Sequence, residues 1–202
     1  MHPAYNYIKQ AINGQYPDTE ASAIAKAILI DVFQLSTTDL YASKDMNFST
    51  NQAEKLEVII TRLRANEPLQ YILGNCYFCG LNFHVEPGVL IPRPETAELV
   101  EWIIADRKSS DSPIRILDIG TGSGYISISL AKNLPQSEVY AWDISEDAIR
   151  IASDNANRLD ANVRFRQTDA LGQVPTDTMM NVIVSNPPYI TEAERTDMDA
   201  NV

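Results

Sequence analysis

Asn186-Pro187-Pro188-Tyr189 brings together, in one short stretch, what is needed to grip a flat NH₂ group. Two consecutive prolines fix φ and have no N–H to donate, so the segment is stiff and its carbonyls turn away from any sheet ladder. Asn186 offers a side-chain carbonyl and Pro187 a main-chain one, and together they can accept both hydrogens of an amide or aromatic amine. Tyr189 can stack on the planar group and fix its face. Such a nitrogen is a weak nucleophile because its lone pair is delocalised. Accepting both of its N–H bonds favours the positive charge that builds as an electrophilic carbon arrives. Neither a metal nor a general base of unusual pKa is required early, since the proton can leave after transfer.

The electrophile has its own candidate site upstream. Asp118-Ile119-Gly120-Thr121-Gly122-Ser123-Gly124 follows a β-branched run and opens a helical pattern, the context that a nucleotide-binding glycine loop requires. In Gly120, Thr121, Gly122, Ser123 and Gly124 the glycines let a ligand approach the backbone, and exposed amides at the helix start can bind a carboxylate or a phosphate. The same glycines would also serve a plain tight turn. Asp143, 23 positions after Gly120, ends the next strand, where a carboxylate can accept from both hydroxyls of a ribose; it could equally cap the helix that follows, although Ser145 is available for that. Asp169 and Ala170 follow the third strand at the same sheet edge, with Asp169 able to accept from an adenine amino group and Ala170 and Leu171 able to pack on the ring. A solvated loop is the other reading of this pair. The loop spacing is Gly-x-Gly-x-Gly, not the Gly-x-Gly-x-x-Gly of dinucleotide dehydrogenases. An adenosyl cofactor carrying a sulfonium methyl, S-adenosylmethionine, fits these residues together with the acceptor tetrapeptide.

The elements that must position these residues follow from periodicity. Residues 3 to 65 carry apolar positions at helical spacing, including Ile24, Ala27, Ile28 and Val32 and then Leu56, Ile59, Ile60 and Leu63. Asp18 or Thr19 can cap a helix running to about Phe33, Ser36 a short one, and Ser49 one ending near Ala65. From Tyr71 to Ile91 aromatic and β-branched residues alternate around glycines, which predicts a β-hairpin. Pro94 to about Lys108 is expected to be helical. After Pro113 the chain alternates strand and helix, with strands near Ile114–Ile119, Glu138–Trp142, Val163–Gln167 and Asn181–Ser185. That alternation builds a Rossmann-like parallel sheet of the α/β class with helices on both faces. The expected domains are a helical bundle over 1–70, a β-hairpin connector over 71–92 and the α/β domain over 93–202. If the strands before Gly120 and Asn186 are neighbours at the switch point of the sheet, the two loops face one crevice.

Acidic residues outnumber basic ones 27 to 16, for a net charge of −11, and both sides of Pro92 are net negative. Such a surface repels phosphate backbones, which argues against nucleic acid as a direct partner. No apolar stretch approaches the about 20 residues needed to cross a bilayer, and the N-terminus lacks a secretory pattern, so a cytoplasmic, membrane-free protein is expected. Cys76 and Cys79 form an isolated Cys-x-x-Cys pair with no second pair to complete a zinc site, and they are expected to be two ordinary apolar positions.

Taken in order, Pro68-Leu69-Gln70-Tyr71-Ile72-Leu73-Gly74, Val89-Leu90-Ile91-Pro92-Arg93-Pro94-Glu95-Thr96, Asp118 to Gly124, and Val184-Ser185-Asn186-Pro187-Pro188-Tyr189-Ile190 resemble the HemK/PrmC family of protein-glutamine methyltransferases, which are class I S-adenosylmethionine-dependent enzymes acting on peptide chain release factors. The Ile-Pro-Arg-Pro-Glu-Thr stretch is the most particular of these. The resemblance implies N5-methylation of the glutamine in the Gly-Gly-Gln motif of the release factors. Gly120 to Gly124 and Asp143 would then hold the cofactor, Asn186 to Tyr189 the glutamine amide, and Arg93, Pro94 and Glu95 would lie near the cofactor cleft. The helical bundle would help to engage the release factor. The family pattern continues beyond Val202 into further strands, so the α/β domain is expected to lack its C-terminal strands. Three other readings stay open: a DNA adenine-N6 methyltransferase, whose extruded base presents the same planar NH₂, a non-catalytic binding protein on a cofactor fold, and a dehydrogenase.

Overall fold

Caps and apolar spacing organise the first of two compact units, which divide between Leu73 and Gly74. The computed structural model describes residues 1–42, 48–108, 112–172 and 179–187. Helix α1 (Pro3–Ala11) has proline in its first turn, and a ring nitrogen of His2 accepts the Ala4 amide at 3.2 Å. Helix α2 (Asp18–Ala27) is preceded by Pro17 at the cap position, so Asp18 stands inside the first turn and not before it. There its carboxylate faces the positive helix end and pairs with Lys9 at 2.8 Å. The expected continuous helix to Phe33 is interrupted: Ile28–Val32 widens into a π-helical turn, which seats Ile28 and Leu29 fully in the core. Ser36 precedes α3 (Thr37–Ala42) and its hydroxyl accepts the Asp39 amide at 3.1 Å. A reciprocal Ser49–Gln52 capping box starts α4 (Thr50–Arg64). The short α5 (Leu69–Leu73) takes in Tyr71 to Leu73, which periodicity assigns to the hairpin. Pro68 supplies a helix-ready φ and its carbonyl accepts from Tyr71 and Ile72. Ile8, Ile12, Leu29, Ile60 and Leu63 centre the core of this unit.

The second unit opens with the hairpin β1 (Asn75–Phe78) and β2 (Leu81–His84). Cys79 and Gly80 form its two-residue turn with φ of +46° and +79°, the left-handed pair that matches strand twist. Helix α6 (Pro94–Arg107) follows, then β3 (Arg115–Ile119), α7 (Tyr125–Asn133), β4 (Glu138–Asp143), α8 (Glu146–Arg158), β5 (Val163–Gln167) and β6 (Val182–Ser185). The four strands are parallel in the order β5-β4-β3-β6. Chain order runs outward from β3 through β4 to β5 and then returns to the other side of β3, which makes the C-terminal ends of β3 and β6 the switch point. Ile119 is in register with Ser185, and the Ser185 hydroxyl donates to the Ile119 carbonyl at 2.7 Å.

Ile116, Val139 and Val184 on one sheet face share a core cluster with Val100 and Ile103 of α6, Ile126, Ile128 and Leu130 of α7, and Ala156 of α8. Helices on both faces are the sequence expectation; among the described residues, α6, α7 and α8 all belong to the cluster of this single face. Ile183, which points to the other side, is 64% exposed.

Candidate active site

The glycine loop sits where β3 gives way to α7, and its three glycines do different work. Gly124 caps α7 in the left-handed region, φ +82°. A Cβ there would meet the Ile128 side chain at 2.8 Å and the Ala152 Cβ at 3.1 Å, so glycine at this position lets α7 and α8 pack closely. Gly122, φ +56°, has nothing within 4 Å of an added Cβ. Its side-chain position faces open space, as a surface for a bound ligand requires.

Sequence alone suggests that amides of the loop and helix start are available to an anion; in the structure those of Gly120, Thr121, Gly122 and Gly124 have partners within the protein. The amides of Gly120 and Thr121 both donate to the Trp142 carbonyl, at 2.8 and 3.0 Å, and Gly124 donates to the Thr121 carbonyl at 2.9 Å. Gly122 donates to Oδ2 of Asp143 at 2.9 Å. These bonds stiffen the loop before any ligand arrives. Asp143 therefore braces the loop and, through Oδ1, accepts the Ser145 amide at 3.0 Å at the start of α8. Each carboxylate oxygen keeps a second lone pair, so the half-buried side chain can still accept from two hydroxyls. Ser145 supplies the side-chain cap of α8, accepting from Ala148.

Asp118 at the end of β3 is fully buried. Its Oδ2 accepts from the Thr121 hydroxyl at 2.7 Å and the Ser127 amide at 3.2 Å, while Oδ1 is buried without a hydrogen-bond partner. Burial pushes its pKa up to about 6, against the opposing pull of the Thr121 and Ser127 bonds. Because the folded protein holds this proton more tightly than the unfolded chain, Asp118 lowers stability as pH rises through the interval from 3.8 to about 6. Asp118→Asn keeps an acceptor for Thr121 and carries no charge. Relative to the parent chain, this variant is expected to gain up to about 3 kcal/mol between pH 4 and 7, measured by denaturant unfolding at a series of pH values. A difference that stays constant across that range would contradict the charged, buried state.

Asp169 is exposed and closes a turn: its Oδ1 accepts the Leu171 amide at 2.9 Å and its carbonyl accepts from Gly172. Leu171 is 97% exposed and Ala170 half-buried. The turn is joined to the loop region through the Thr168 amide, which donates to the Asp143 carbonyl at 2.8 Å.

Across the switch point, half-buried Asn186 leaves the end of β6 with its amide nitrogen tied on both sides. It donates to the Tyr125 hydroxyl at 2.9 Å and to the Thr96 hydroxyl at 3.4 Å. Tyr125 is the first residue of α7, directly after Gly124, and Thr96 lies in the first turn of α6. Three sequence-distant stretches thus converge on one side chain: the proline-rich Ile91–Thr96 segment, the glycine loop and the acceptor tetrapeptide. Pro187 is exposed, and Pro188 and Tyr189 lie outside the described residues. Arg93, Pro94 and Glu95 are exposed at the start of α6, and the Arg93 carbonyl accepts the Thr96 amide.

Sequence reasoning passed over Thr96, Tyr125 and Asn155. Asn155 of α8 is fully buried, and its amide joins three backbone groups. Oδ1 accepts from His84 N at 2.7 Å, and Nδ2 donates to His84 O at 2.9 Å and to Ser123 O at 3.0 Å. An asparagine within the apolar stripe Ile151, Ala152, Ala156 is the signal that could have revealed it. Cys76 and Cys79 are half-buried, and burial pushes both thiols above their ordinary value. Among the described residues no cluster of His, Cys, Asp or Glu could hold a metal, and no helix is long and apolar enough to cross a membrane.

Comparison with known proteins agrees with this geometry. Residues 99–201 match the family model described as methyltransferase small domain, and residues 4–74 match the PrmC N-terminal domain. A release factor glutamine methyltransferase of Bacteroides thetaiotaomicron is 51% identical over 97% of this chain and 70% of its own length. One from Flavobacterium psychrophilum is 40% identical over 96% of this chain and 68% of its own. Among solved structures, the Thermus thermophilus 16S rRNA N2 G1207 methyltransferase in complex with AdoMet and guanosine aligns with a TM-score of 0.50 and 19% identity. It covers 58% of this chain and 33% of that one, which speaks to the fold alone. The helical N-terminal unit, the parallel sheet with its glycine loop and these relatives make the chain a member of the release factor glutamine methyltransferase family, α/β class I methyltransferases whose cofactor is S-adenosylmethionine.

Proposed function

We propose that this chain methylates the side-chain amide nitrogen of the glutamine in the Gly-Gly-Gln motif of peptide chain release factors. One observation carries the reading at the site: among the described residues the hydrogen bonds of the Asn186 side chain are made by its nitrogen, and its carbonyl is the group proposed to accept from an incoming NH₂. With the Pro187 carbonyl as a second acceptor, both hydrogens of the glutamine amide are held and its nitrogen is steered toward the glycine loop. Tyr189 stacks on the amide plane in this reading. S-adenosylmethionine supplies the sulfonium-activated methyl group.

The open face over Gly120 and Gly122 supports cofactor placement along the loop from Gly120 through Thr121, Gly122 and Ser123 to Gly124. The two remaining lone pairs of Asp143 suit a ribose, and Asp169 with Ala170 borders the adenine position. Asp143→Ala removes the ribose acceptors and the brace on Gly122 together. It is expected to weaken S-adenosylmethionine binding about tenfold or more by calorimetry, and an unchanged dissociation constant would remove the assignment.

The helical unit, residues 1–70 in the sequence-based division, is proposed to engage the release factor. Exposed Tyr7, Tyr41 and Val58 supply apolar contact area for that role. We place the reaction in the cytoplasm, where release factors act, without nucleic acid or membrane as direct partner; the net charge of −11 supports the first exclusion. The test offers release factor and plasmid DNA side by side with isotope-labelled S-adenosylmethionine, followed by mass spectrometry of both. Label on the glutamine of the Gly-Gly-Gln motif is the expected result. Label on DNA adenine would replace this reading with the base-methylating one, and cofactor binding without transfer to either would favour the non-catalytic one.

A further inference from the structure

We propose that Tyr125 and Thr96 are positioning residues that hold the Asn186 side chain in place at the acceptor site. The proposal rests on the reading of Asn186 as the amide clamp. The Asn186 Nδ2 atom meets the Tyr125 hydroxyl at 2.9 Å and the Thr96 hydroxyl at 3.4 Å, so the side chain is tied at once to the start of α7 and to the first turn of α6.

Both hydroxyl-bearing residues are themselves held. Tyr125 is 3% exposed and Thr96 is 7% exposed, and the Tyr125 ring packs edge-on against Phe78 of the hairpin at 5.1 Å between centroids. Burial strengthens these bonds.

Tyr125→Phe keeps the ring and removes the acceptor, and Thr96→Val does the same for the threonine. In the full chain, with a release factor as substrate, Tyr125→Phe is expected to lower kcat about tenfold, the equivalent of one lost hydrogen bond. KM and the S-adenosylmethionine dissociation constant should stay within about twofold. Thr96→Val should lower kcat about threefold, in keeping with its longer contact, and Thr96→Ser should restore it. Because Tyr125 acts through Asn186, adding Tyr125→Phe to Asn186→Ala should bring no further loss. Independently of activity, the Asn186 side-chain NH₂ resonances of nitrogen-labelled protein should move in Tyr125→Phe.

Full kcat in Tyr125→Phe, an equal loss in the Asn186→Ala background, or unmoved NH₂ resonances would each overturn the inference. The two layers separate cleanly. An active Asn186→Ala protein refutes the clamp reading itself, whereas an inactive Asn186→Ala protein beside a fully active Tyr125→Phe protein refutes only the positioning role.

Discussion

Replacing Asn186 by alanine is expected to slow methyl transfer to release factor by about two orders of magnitude or more, as loss of one preorganised polar partner does elsewhere, while S-adenosylmethionine affinity changes little. The asymmetry between the two effects follows from position. Asn186 follows β6 and is bonded to Thr96 and Tyr125, whereas the conformation of the loop proposed to carry the cofactor is fixed by Trp142, Asp143 and Asn155. Removing the Asn186 side chain leaves those bonds intact. What disappears is the acceptor proposed to face the substrate amide and to orient its nitrogen toward the methyl. Single-turnover transfer and calorimetric titration on the same preparation measure both quantities. Normal methylation by the alanine variant would show that the amide is gripped elsewhere.

The parts of this site that sequence made legible are those that lie within one strand–loop–helix pattern. Gly120 to Gly124 and Asp143 each end a strand and precede a helix, so local periodicity was enough to locate them at one sheet edge, and the register of Ile119 with Ser185 brings Asn186 to the same edge. Residues that act through tertiary contact were not legible. Thr96 and Tyr125 lie 90 and 61 positions from Asn186, and although Thr96 closes the particular Ile91–Thr96 stretch, a threonine or tyrosine at a helix start carries no sign of which side chain it will face. A glycine loop before a helix suggests free donors, and local pattern does not reveal that the parallel partner β4 ends beside it and supplies Trp142 and Asp143 as acceptors for Gly120, Thr121 and Gly122. In the helical unit, apolar spacing located α2 but not the π-helical turn after it, where Leu29 and Phe33 are buried while Ala27 and Val32 of the expected stripe are only partly so. At Tyr71 to Leu73 β-forming side chains misled, since Pro68 before them and Gly74 after them, φ +70°, set a helical turn.

Asn155→Leu carries the largest expected cost in stability. The substitution conserves volume and would suit the apolar stripe of α8, so a purely hydrophobic account predicts a neutral or stabilising change. Hydrogen bonding predicts the reverse. His84 N, His84 O and Ser123 O all lose their Asn155 partner at once, in a place where leucine excludes replacement water. At about 1–3 kcal/mol for each group left unpaired, the loss is expected to total about 3 kcal/mol or more, a large share of the stability of an ordinary domain. Asn155→Ala removes the same bonds but leaves room for a bridging water, so it should be the milder of the two despite its smaller side chain. Part of the effect should reach the cofactor: with Ser123 O released, the glycine loop loses a tie to α8, and S-adenosylmethionine affinity should fall about tenfold in the alanine variant. Chemical denaturation ranks the three proteins, and calorimetry follows the affinity. A leucine variant as stable as the parent would mean that the core around α8 is governed by packing alone, and that the hairpin and the loop are held in place without this amide.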